Sequence, residues 1–375
     1  MKIVNIETYP VELTVKPEFF IVSSAGAHAK SRYLIVALRC DDGTVGWGEA
    51  TVVSRWSGET RAGAKEIIER DIAPVVIGRD PLDFESIARD ISSAVIDNPF
   101  TKAAVETAVL DLAGKALKQP VYDLLGGAKN PLQIPVKFVI GLRPPEESAR
   151  IAAAKVKEGF TAIKLKVGPD PEQDFQRVRQ VREAIGNGVK LNVDTNGGWT
   201  VEQAIKEITR YEPYKLEYIE QPVARHDIEG LAKVRSSVGV PIMADESVFS
   251  IWQAEEVLRR KAADLISIYP GKNGGLLQAK KICELAEKEG VACHLGSNLE
   301  WDIGTAAMCH LAVACKNVAL EKFPVDILGP LYYSFKLPRT PVEYQNGRVQ
   351  TPQGWGLGLD IAEKDLAAIA ARDAL

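Results

Sequence analysis

The chain has 375 residues, with 46 Lys and Arg against 50 Asp and Glu and a formal net charge of −4. This length suits two or three ordinary domains, or one large barrel with an appendage. The balanced charge excludes the basic surface that nucleic acid or an anionic membrane requires, and no apolar run approaches the roughly 20 residues that span a bilayer. The beginning is strand-like rather than a signal peptide, and the five Cys form no C-x-x-C pair. We therefore expect a cytoplasmic enzyme or binding protein with reduced thiols and no nucleic-acid or membrane partner.

The N-terminal part of the chain, residues 1–127, predicts a small α+β unit. Turn residues at 41–44 indicate a hairpin, and apolar residues recur at helical spacing over 60–77 and 101–118. Gly126-Gly127 interrupts this pattern, so we place a domain boundary at 127. The predicted strands are Met1–Val15, Ser31–Cys40 and Val45–Glu49.

A unit of strand, polar turn and helix then repeats, with strand starts 24 to 29 residues apart. Apolar strands that alternate with helices favour a closed parallel β/α barrel. The alternative, a doubly wound open sheet, lacks a G-x-G-x-x-G motif after a strand. After Phe323 the chain leaves this pattern, and we expect a hairpin around Asn346-Gly347 and a return to the N-terminal unit. The predicted barrel strands are Ile134–Gly141, Thr161–Val167, Lys190–Asn196, Leu216–Pro222, Pro241–Ser247, Leu265–Pro270, Val291–Gly296 and Val318–Phe323.

Three consecutive predicted strands carry a carboxylate near their ends, namely Asp194, Glu220 and Asp245. Active sites of β/α barrels lie at the carboxyl ends of the strands, and neighbouring strands are about 4.8 Å apart. Three such charges repel one another strongly where water is scarce. A divalent cation relieves this repulsion, and oxygen ligands without His or Cys favour Mg²⁺.

Polar side chains near these carboxylates are candidates for proton transfer and substrate binding. Lys164 and Lys166 share one face of a strand, and a nearby cation lowers the pKa of a lysine until it can act as a base. His294 ends the seventh predicted strand, and we expect it to approach the mouth from the other side. The residues that we expect to face the substrate are His28, Asn196, Tyr269, Asn298 and Glu300.

These motifs resemble the enolase superfamily, in the mandelate racemase and muconate lactonizing enzyme branch. Thr161–Lys166 is similar to the family's K-x-K strand, and Asp194, Glu220 and Asp245 stand where its three Mg²⁺ ligands do. Asn196 and Gln221 match positions that usually support the metal site. The resemblance covers nearly the whole chain. It implies a modified (β/α)7β barrel over 128–325, with an α+β cap formed by 1–127 and the returning segment 326–375.

The resemblance also implies a mechanism and a cofactor. One Mg²⁺ per subunit binds the carboxylate of a small substrate, Lys166 removes the proton on the adjacent carbon, and Lys164 helps to stabilise the resulting enediolate. Glu321, in the expected eighth strand, is similar to a residue that hydrogen-bonds the carboxylate in the racemase group. Relatives commonly assemble as dimers or octamers, so we expect a homo-oligomer.

One position departs from the family's patterns. Tyr269 ends strand six where relatives carry Lys or Asp, so His294 lacks an acidic partner there. An isomerase (racemase, epimerase or cycloisomerase) is favoured. The alternatives are a dehydratase of a hydroxy acid or acid sugar, with Lys166 as base and His294 as acid, and a barrel that binds a carboxylate without turnover. The substrate is not readable from the sequence.

Overall fold

The computed structural model describes residues 1–24 and 26–373, which form a cap and a barrel. The cap contains an antiparallel sheet in which Lys30–Cys40 lies between Ile3–Thr14 and Val45–Thr51. These three strands were predicted, because their β-branched and aromatic residues favour a half-buried pleated surface. A short hairpin, Ile21–Ser23 paired with Gly26–His28, was not predicted.

Helices cover the cap sheet. The longest, Pro99–Leu117, lies so close to the third strand that a Cβ at Gly48 would come within 1.7 Å of the Ala104 carbonyl oxygen. Glycine at this strand position therefore permits the close approach of helix and strand. The cap helices are Arg61–Ile67, the π-helical turn Ile68–Ile72, Ala73–Val76, Phe84–Ala94, Pro99–Leu117 and Val121–Leu124, with 3-10 turns at Pro17–Phe19 and Pro81–Asp83.

Seven parallel strands form the barrel wall and follow one another around it in chain order. Each lies within a segment that the sequence predicted to be a strand, and each pairs with the next in parallel register. The predicted barrel is therefore confirmed. Strands one to seven are Phe138–Ile140, Ala162–Lys166, Lys190–Asp194, Ile219–Glu220, Ile242–Ala244, Leu265–Ile268 and Ala292–Leu295.

The predicted eighth strand, Val318–Phe323, is wrong beyond its first residue. Val318 makes a single parallel bridge to Cys293 of strand seven, and the residues that follow form turns, in which the Phe323 N–H donates to the Ala319 carbonyl at 2.8 Å. Phe323 packs with Tyr218 and Met243 in a small apolar cluster separate from the main core. The apolar side chains that suggested a wall strand instead fill the floor of the barrel.

Val325 takes the eighth position in the wall. Its N–H donates to the Pro135 carbonyl and its carbonyl accepts from the Lys137 N–H, both at 3.0 Å. The next residue, Asp326, donates its N–H to the Leu295 carbonyl at 3.0 Å. This short segment connects strand seven to strand one and closes the barrel.

The barrel helices begin and end at residues that are typical helix caps. Asp170 accepts the Gln173 N–H, Thr200 and Ser250 form capping boxes, and Gly290 has a positive φ after a helix. The barrel helices are Pro145–Lys157, Pro171–Ile185, Val201–Tyr211, Ile228–Ser237, Ile251–Arg259, Pro270–Asn273, Leu276–Lys288 and Asp302–Ala314, with 3-10 turns at Glu212–Tyr214 and Gly329–Tyr332.

The C-terminal segment contacts both regions. Tyr344–Gln345 and Arg348–Gln350 form the predicted hairpin, and the second of these strands pairs with Gln133–Pro135 just before the barrel begins. The last helix, Glu363–Asp373, lies against the first cap strand. Glu363 forms an ion pair with Arg39, which also binds Glu7 at 2.8 Å.

The helices and the cysteines of the chain bear on two predictions made from its composition. In residues 1–24 and 26–373, no helix combines the length and hydropathy needed to cross a bilayer. The five cysteines are buried as free thiols, as predicted.

Two cap carboxylates bind the beginnings of barrel helices. Glu49 accepts the N–H groups of Trp301 and Gly304 at 2.7 and 3.0 Å. Glu106, on the long cap helix, accepts those of Leu276 and Leu277 at 2.5 and 3.2 Å. Free N–H groups at a helix N-terminus attract carboxyl oxygens, so these contacts fix the cap on the barrel.

The Glu106 contact predicts a pH-dependent stability. Burial raises the pKa of Glu106 to about 8 from an ordinary value of 4.5, so its contribution to stability is present below about pH 4.5 and is lost as the pH rises through 8. Glu106→Gln should lower the thermal unfolding temperature at pH 5, because one helix N–H loses its acceptor at a cost of about 1–3 kcal/mol. The difference from the unmodified protein should shrink towards pH 8.5. Unfolding followed by circular dichroism tests this, with exposed Glu85→Gln as control. A difference that does not change with pH would contradict it.

Candidate active site

Lys166, Asp194 and Glu220 lie side by side at the carboxyl ends of strands two, three and four. The register pairs Lys166 with Asp194 and Asp194 with Glu220. Asp245 directly follows the last residue of strand five. All three carboxylates are buried, so the structure brings the predicted metal ligands to one end of the barrel.

Lys164 lies below the strand ends and contacts two of these carboxylates together with Asp326. Its Nζ lies 2.7 Å from Glu220, 3.0 Å from Asp194 and 3.0 Å from Asp326. Burial by itself lowers the pKa of this ammonium, but the charges of Asp194, Asp326 and Glu220 outweigh burial and hold the pKa well above its usual value. Lys164 is therefore a permanent cation.

Lys166 is the lysine of the pair that has fewer charged partners. Its Nζ lies 2.5 Å from Asp194 Oδ2 and donates to Asn196 Oδ1 at 3.0 Å. Its side chain is 12% exposed, against 4% for Lys164. Burial raises the pKa of Asp194, but Lys164 and Lys166 together lower it below its ordinary value.

The predicted metal ligands are bound by lysines. Asp194 and Glu220 contact Lys164, and Asp245 contacts Lys272 at 2.6 Å. Within the described residues, no three His, Cys, Asp or Glu side chains are grouped closely enough to hold a metal ion in this arrangement.

Glu220 nevertheless shows that the site fits a divalent cation. Its Oε2 is buried and has no hydrogen-bond partner in the described structure. Burial, followed by the charge of Asp194, raises the pKa of Glu220 to about 8. Buried polar atoms ordinarily have partners, and Mg²⁺ prefers carboxylate oxygens. The donor set Asp194, Glu220 and Asp245 therefore suits Mg²⁺.

Residues that follow the strand ends hold these carboxylates in place. Gln221 Oε1 accepts the N–H groups of Asp245 and Ser247 at 2.9 and 3.1 Å. Asn196 accepts from Lys166 and donates to Glu246 at 2.8 Å. The side-chain amides of Asn196 and Gln221 thus connect the loops after strands three, four and five.

Sequence reasoning did not assign two charged residues that the structure brings to this site. Asp326 binds Lys164, and it was missed because the eighth strand was predicted too early in the chain. Lys272 donates to Asp245 Oδ1, the Asp245 carbonyl and the Ser267 carbonyl at 2.6, 2.9 and 2.7 Å. These three acceptors use the three N–H groups of the ammonium, so Lys272 positions Asp245. The sequence offered a signal for each, because Lys272 stands three residues after Tyr269 and Asp326 follows the apolar pair Pro324-Val325.

The expectation that His294 approaches the reacting carbon is wrong. The ring is fully buried inside the barrel and does not line the cavity. Its Nε2 lies 2.8 Å from Lys137 Nζ and 3.2 Å from the Pro324 carbonyl. Burial and the charge of Lys137 hold the pKa of His294 well below its usual value. His294 pairs in register with Ser267, before the end of strand six, which places it below the mouth.

Two predicted substrate contacts lie elsewhere. Glu321 is wrong because its side chain is 65% exposed and pairs with Arg348 at 3.0 Å, in the turn that replaces the expected strand. Glu300 is buried, but it accepts hydrogen bonds from Ser297 and Asn298 and does not line the cavity.

A cavity of about 910 Å³ lies between the strand ends and the cap. The cap lines it with residues of 26–32 and 52–62, and the barrel lines it with the carboxylates and both lysines. Four of the predicted substrate contacts also line it: His28, Asn196, Tyr269 and Asn298. His28 Nε2 lies 2.6 Å from Ser31 Oγ, and burial lowers the pKa of His28 to about 4, so this imidazole is neutral at pH 7.

Tyr269 stands across the cavity from Lys166. It follows strand six, which is four positions from strand two in a wall of eight, and is therefore opposite. Its ring stacks on Trp56 of the cap with centroids 5.8 Å apart. Burial, with the charge of Asp245, raises the pKa of Tyr269 well above its usual value, so the phenol stays protonated and can donate.

Comparison with family models gives two matches. Residues 5–126 match the N-terminal domain of mandelate racemase and muconate lactonizing enzyme. Residues 147–365 match the enolase C-terminal domain-like family.

Individual relatives agree with these matches. L-Ala-D/L-Glu epimerase of Clostridium acetobutylicum is 36% identical over 329 residues, which cover 87% of this chain and 90% of the relative. Muconate cycloisomerase 1 of Rhodococcus opacus is 36% identical over 366 residues, 96% of each protein. The structure of dipeptide epimerase from Enterococcus faecalis V583, complexed with Mg and the dipeptide L-Leu-L-Tyr, has a TM-score of 0.90 and 34% identity, and the match covers 96% of this chain and 100% of that chain. The chain is therefore an isomerase that belongs to the mandelate racemase and muconate lactonizing enzyme branch of the enolase superfamily.

Proposed function

We propose that this isomerase removes the α-proton of a small carboxylate substrate, with Lys166 as the base and Mg²⁺ as the cofactor. The row of Lys166, Asp194 and Glu220 carries the proposal, because it sets an amine beside a carboxylate cluster on the cavity wall. The relatives named as epimerase and cycloisomerase support it, as does the solved relative that contains Mg and a dipeptide.

Asp194, Glu220 and Asp245 are the residues that would hold the metal. Bound there, Mg²⁺ supplies positive charge that stabilises the negative charge developing on the substrate carboxylate. Lys164 supplies further positive charge, because Asp194, Asp326 and Glu220 keep it protonated. Gln221 and Lys272 fix the position of Asp245 through its N–H, carbonyl and carboxylate.

Lys166 is better suited than Lys164 to take the proton. It shares the same Asp194 oxygen with Lys164, so one carboxylate serves two ammonium groups. Lys166 also has fewer charged partners than Lys164 and lies on the cavity wall, where its amine can accept the α-proton.

The dehydratase alternative lacks the general acid expected for it, because His294 does not reach the cavity. It required His294 to protonate a leaving hydroxyl group, and His294 lies outside the cavity against Lys137. We therefore propose the isomerase alone.

The phenol of Tyr269 gives the two faces of the substrate different chemistry. Lys166 approaches from strand two, while the opposite wall presents a protonated hydroxyl whose ring is held by Trp56. We propose that the Tyr269 hydroxyl donates its proton to the α-carbon, from the face of the substrate that is turned away from Lys166. The homo-oligomer implied by the family resemblance stays a prediction.

Replacing Lys166 should abolish α-proton exchange. Lys166→Ala should slow deuterium incorporation at the α-carbon at least about 10²-fold, because the general base is lost. A panel of dipeptides, N-acyl amino acids, hydroxy acids and acid sugars in D₂O with Mg²⁺, followed by proton NMR, first finds an exchanging compound. Lys206→Ala, 75% exposed, is the control. Unchanged exchange in a folded Lys166→Ala protein would reject the base.

Replacing Glu220 should weaken Mg²⁺ binding. Glu220→Gln removes one charged oxygen ligand, and we expect a loss of roughly tenfold or more in affinity by titration calorimetry. Glu321→Gln, on the outer surface, should bind Mg²⁺ like the unmodified protein. Equal affinities for all three proteins would argue against the assigned ligands.

Replacing Tyr269 should separate exchange from isomerisation. In Tyr269→Phe, exchange through Lys166 should stay within about threefold, while formation of the isomerised product should fall by about 10²-fold, because donation from the opposite face is lost. Both rates are measured by NMR on the same compound. Parallel loss of both, or of neither, would contradict the role given to the phenol.

A further inference from the structure

The two ends of the cavity carry opposite charge. The barrel end is rich in carboxylates, and the cap end is rich in cations. Charged lining residues of the barrel are Asp194, Glu220, Asp245, Asp326, Lys164 and Lys166. Charged lining residues of the cap are Lys30, Arg32, Arg55, Arg61, Lys65 and Glu59. We call the five cationic residues of the cap, Lys30, Arg32, Arg55, Arg61 and Lys65, the cationic rim.

The acidic residue among the cap's lining residues does not neutralise the cationic rim. Glu59 is buried and accepts the Thr101 N–H and hydroxyl at 2.8 Å, and also the Phe100 N–H. Its carboxylate is thus engaged by the beginning of the long cap helix.

Some rim cations have partners at the surface of the cap. Lys30 and Arg32 share the carboxylate of Glu12, at 2.7 and 3.0 Å, and Lys65 pairs with Glu69 on its own helix. Sharing one carboxylate leaves a net positive charge on this side of the cavity.

Arg61 is different, because it has no acidic partner among the described residues. It is partly buried, and its Nη1 is buried without a hydrogen-bond partner. A buried charged donor without an acceptor is costly. The planar guanidinium matches a carboxylate, which can accept two parallel hydrogen bonds from it.

The loop that precedes Arg61 is held over the cavity. The Arg55 guanidinium packs on Gly26, where a Cβ would come within 1.8 Å of Nη1, and Gly26 has a φ of +110° that L side chains rarely adopt. Trp56 in the same loop stacks on Tyr269 of the barrel. These contacts hold the loop before Arg61 at the cap side of the cavity, whose barrel side is lined by the carboxylates.

We propose that Arg61, assisted by the other residues of the cationic rim, binds a second carboxylate of the substrate, so that the substrate is a dicarboxylate. The inference rests on the proposed function, in which the reacting carboxylate is bound at the strand ends. A cavity of about 910 Å³ is near the upper end of the usual range for ligand sites, about 300–1,000 Å³, and leaves room for an extended molecule with an anion at each end.

Binding of matched acids tests the inference. Pimelate and heptanoate have the same chain length and differ by one carboxylate, and titration calorimetry with Mg²⁺ gives the affinity of each. We expect pimelate to bind roughly tenfold tighter or more. Arg61→Met should remove most of this preference and leave heptanoate within about twofold, and Arg61→Lys should retain part of it. Arg70→Met is the control, because Arg70 is 70% exposed and does not line the cavity.

Every outcome either supports or overturns the binding of a second carboxylate by Arg61. Equal affinities in the unmodified protein, no binding of either acid, or a preference that persists in folded Arg61→Met would overturn the rim site. If heptanoate binds only with Mg²⁺ but pimelate is not preferred, the rim inference fails and the proposed function stands. If pimelate is preferred through Arg61 but neither acid needs Mg²⁺, the rim inference stands and the metal site of the proposed function fails.

Discussion

Four carboxylates are buried together at the mouth of the barrel, and the arrangement of the site follows from their need for positive charge. An ionised carboxylate is costly to bury unless a cation or hydrogen-bond donors face it. Lys164 forms ion pairs with Asp194, Glu220 and Asp326. Lys272 donates all three of its hydrogen bonds to Asp245 and the Ser267 carbonyl. Glu220 still has one oxygen without a partner. A divalent cation held by these carboxylates would satisfy this demand, and it would also give a substrate carboxylate a place to bind beside Lys166.

Much of the fold could be predicted, because strands buried on both faces appear as short apolar runs at a regular spacing. The same reasoning failed at Val318–Phe323, where the apolar residues fill the floor of the barrel rather than its wall. One misplaced strand caused two further errors. It placed Glu321 in the site, and it concealed Asp326, which stands at the true closing segment.

The strand-end carboxylates were predictable, since the carboxyl ends of parallel strands meet at one end of a barrel. The depth of a side chain below the mouth was not, so His294 was expected at the substrate and lies against Lys137 instead. Contacts between distant segments also leave no local pattern. Examples are the packing of Arg55 on Gly26 and the buried Arg61 Nη1 that has no partner. The binding of helix starts by Glu49 and Glu106 likewise depends on how the cap sits on the barrel.

We propose that Asp194, Glu220 and Asp245 together hold one divalent cation. Anomalous diffraction from crystals of the protein grown with Mn²⁺ in place of Mg²⁺ tests it most directly, because the anomalous signal locates the metal without reference to activity. We predict one strong peak bounded by oxygens of these three carboxylates, with the free oxygen of Glu220 among its ligands. The absence of a peak at saturating Mn²⁺, with Glu220 still bound only to Lys164, would contradict the claim.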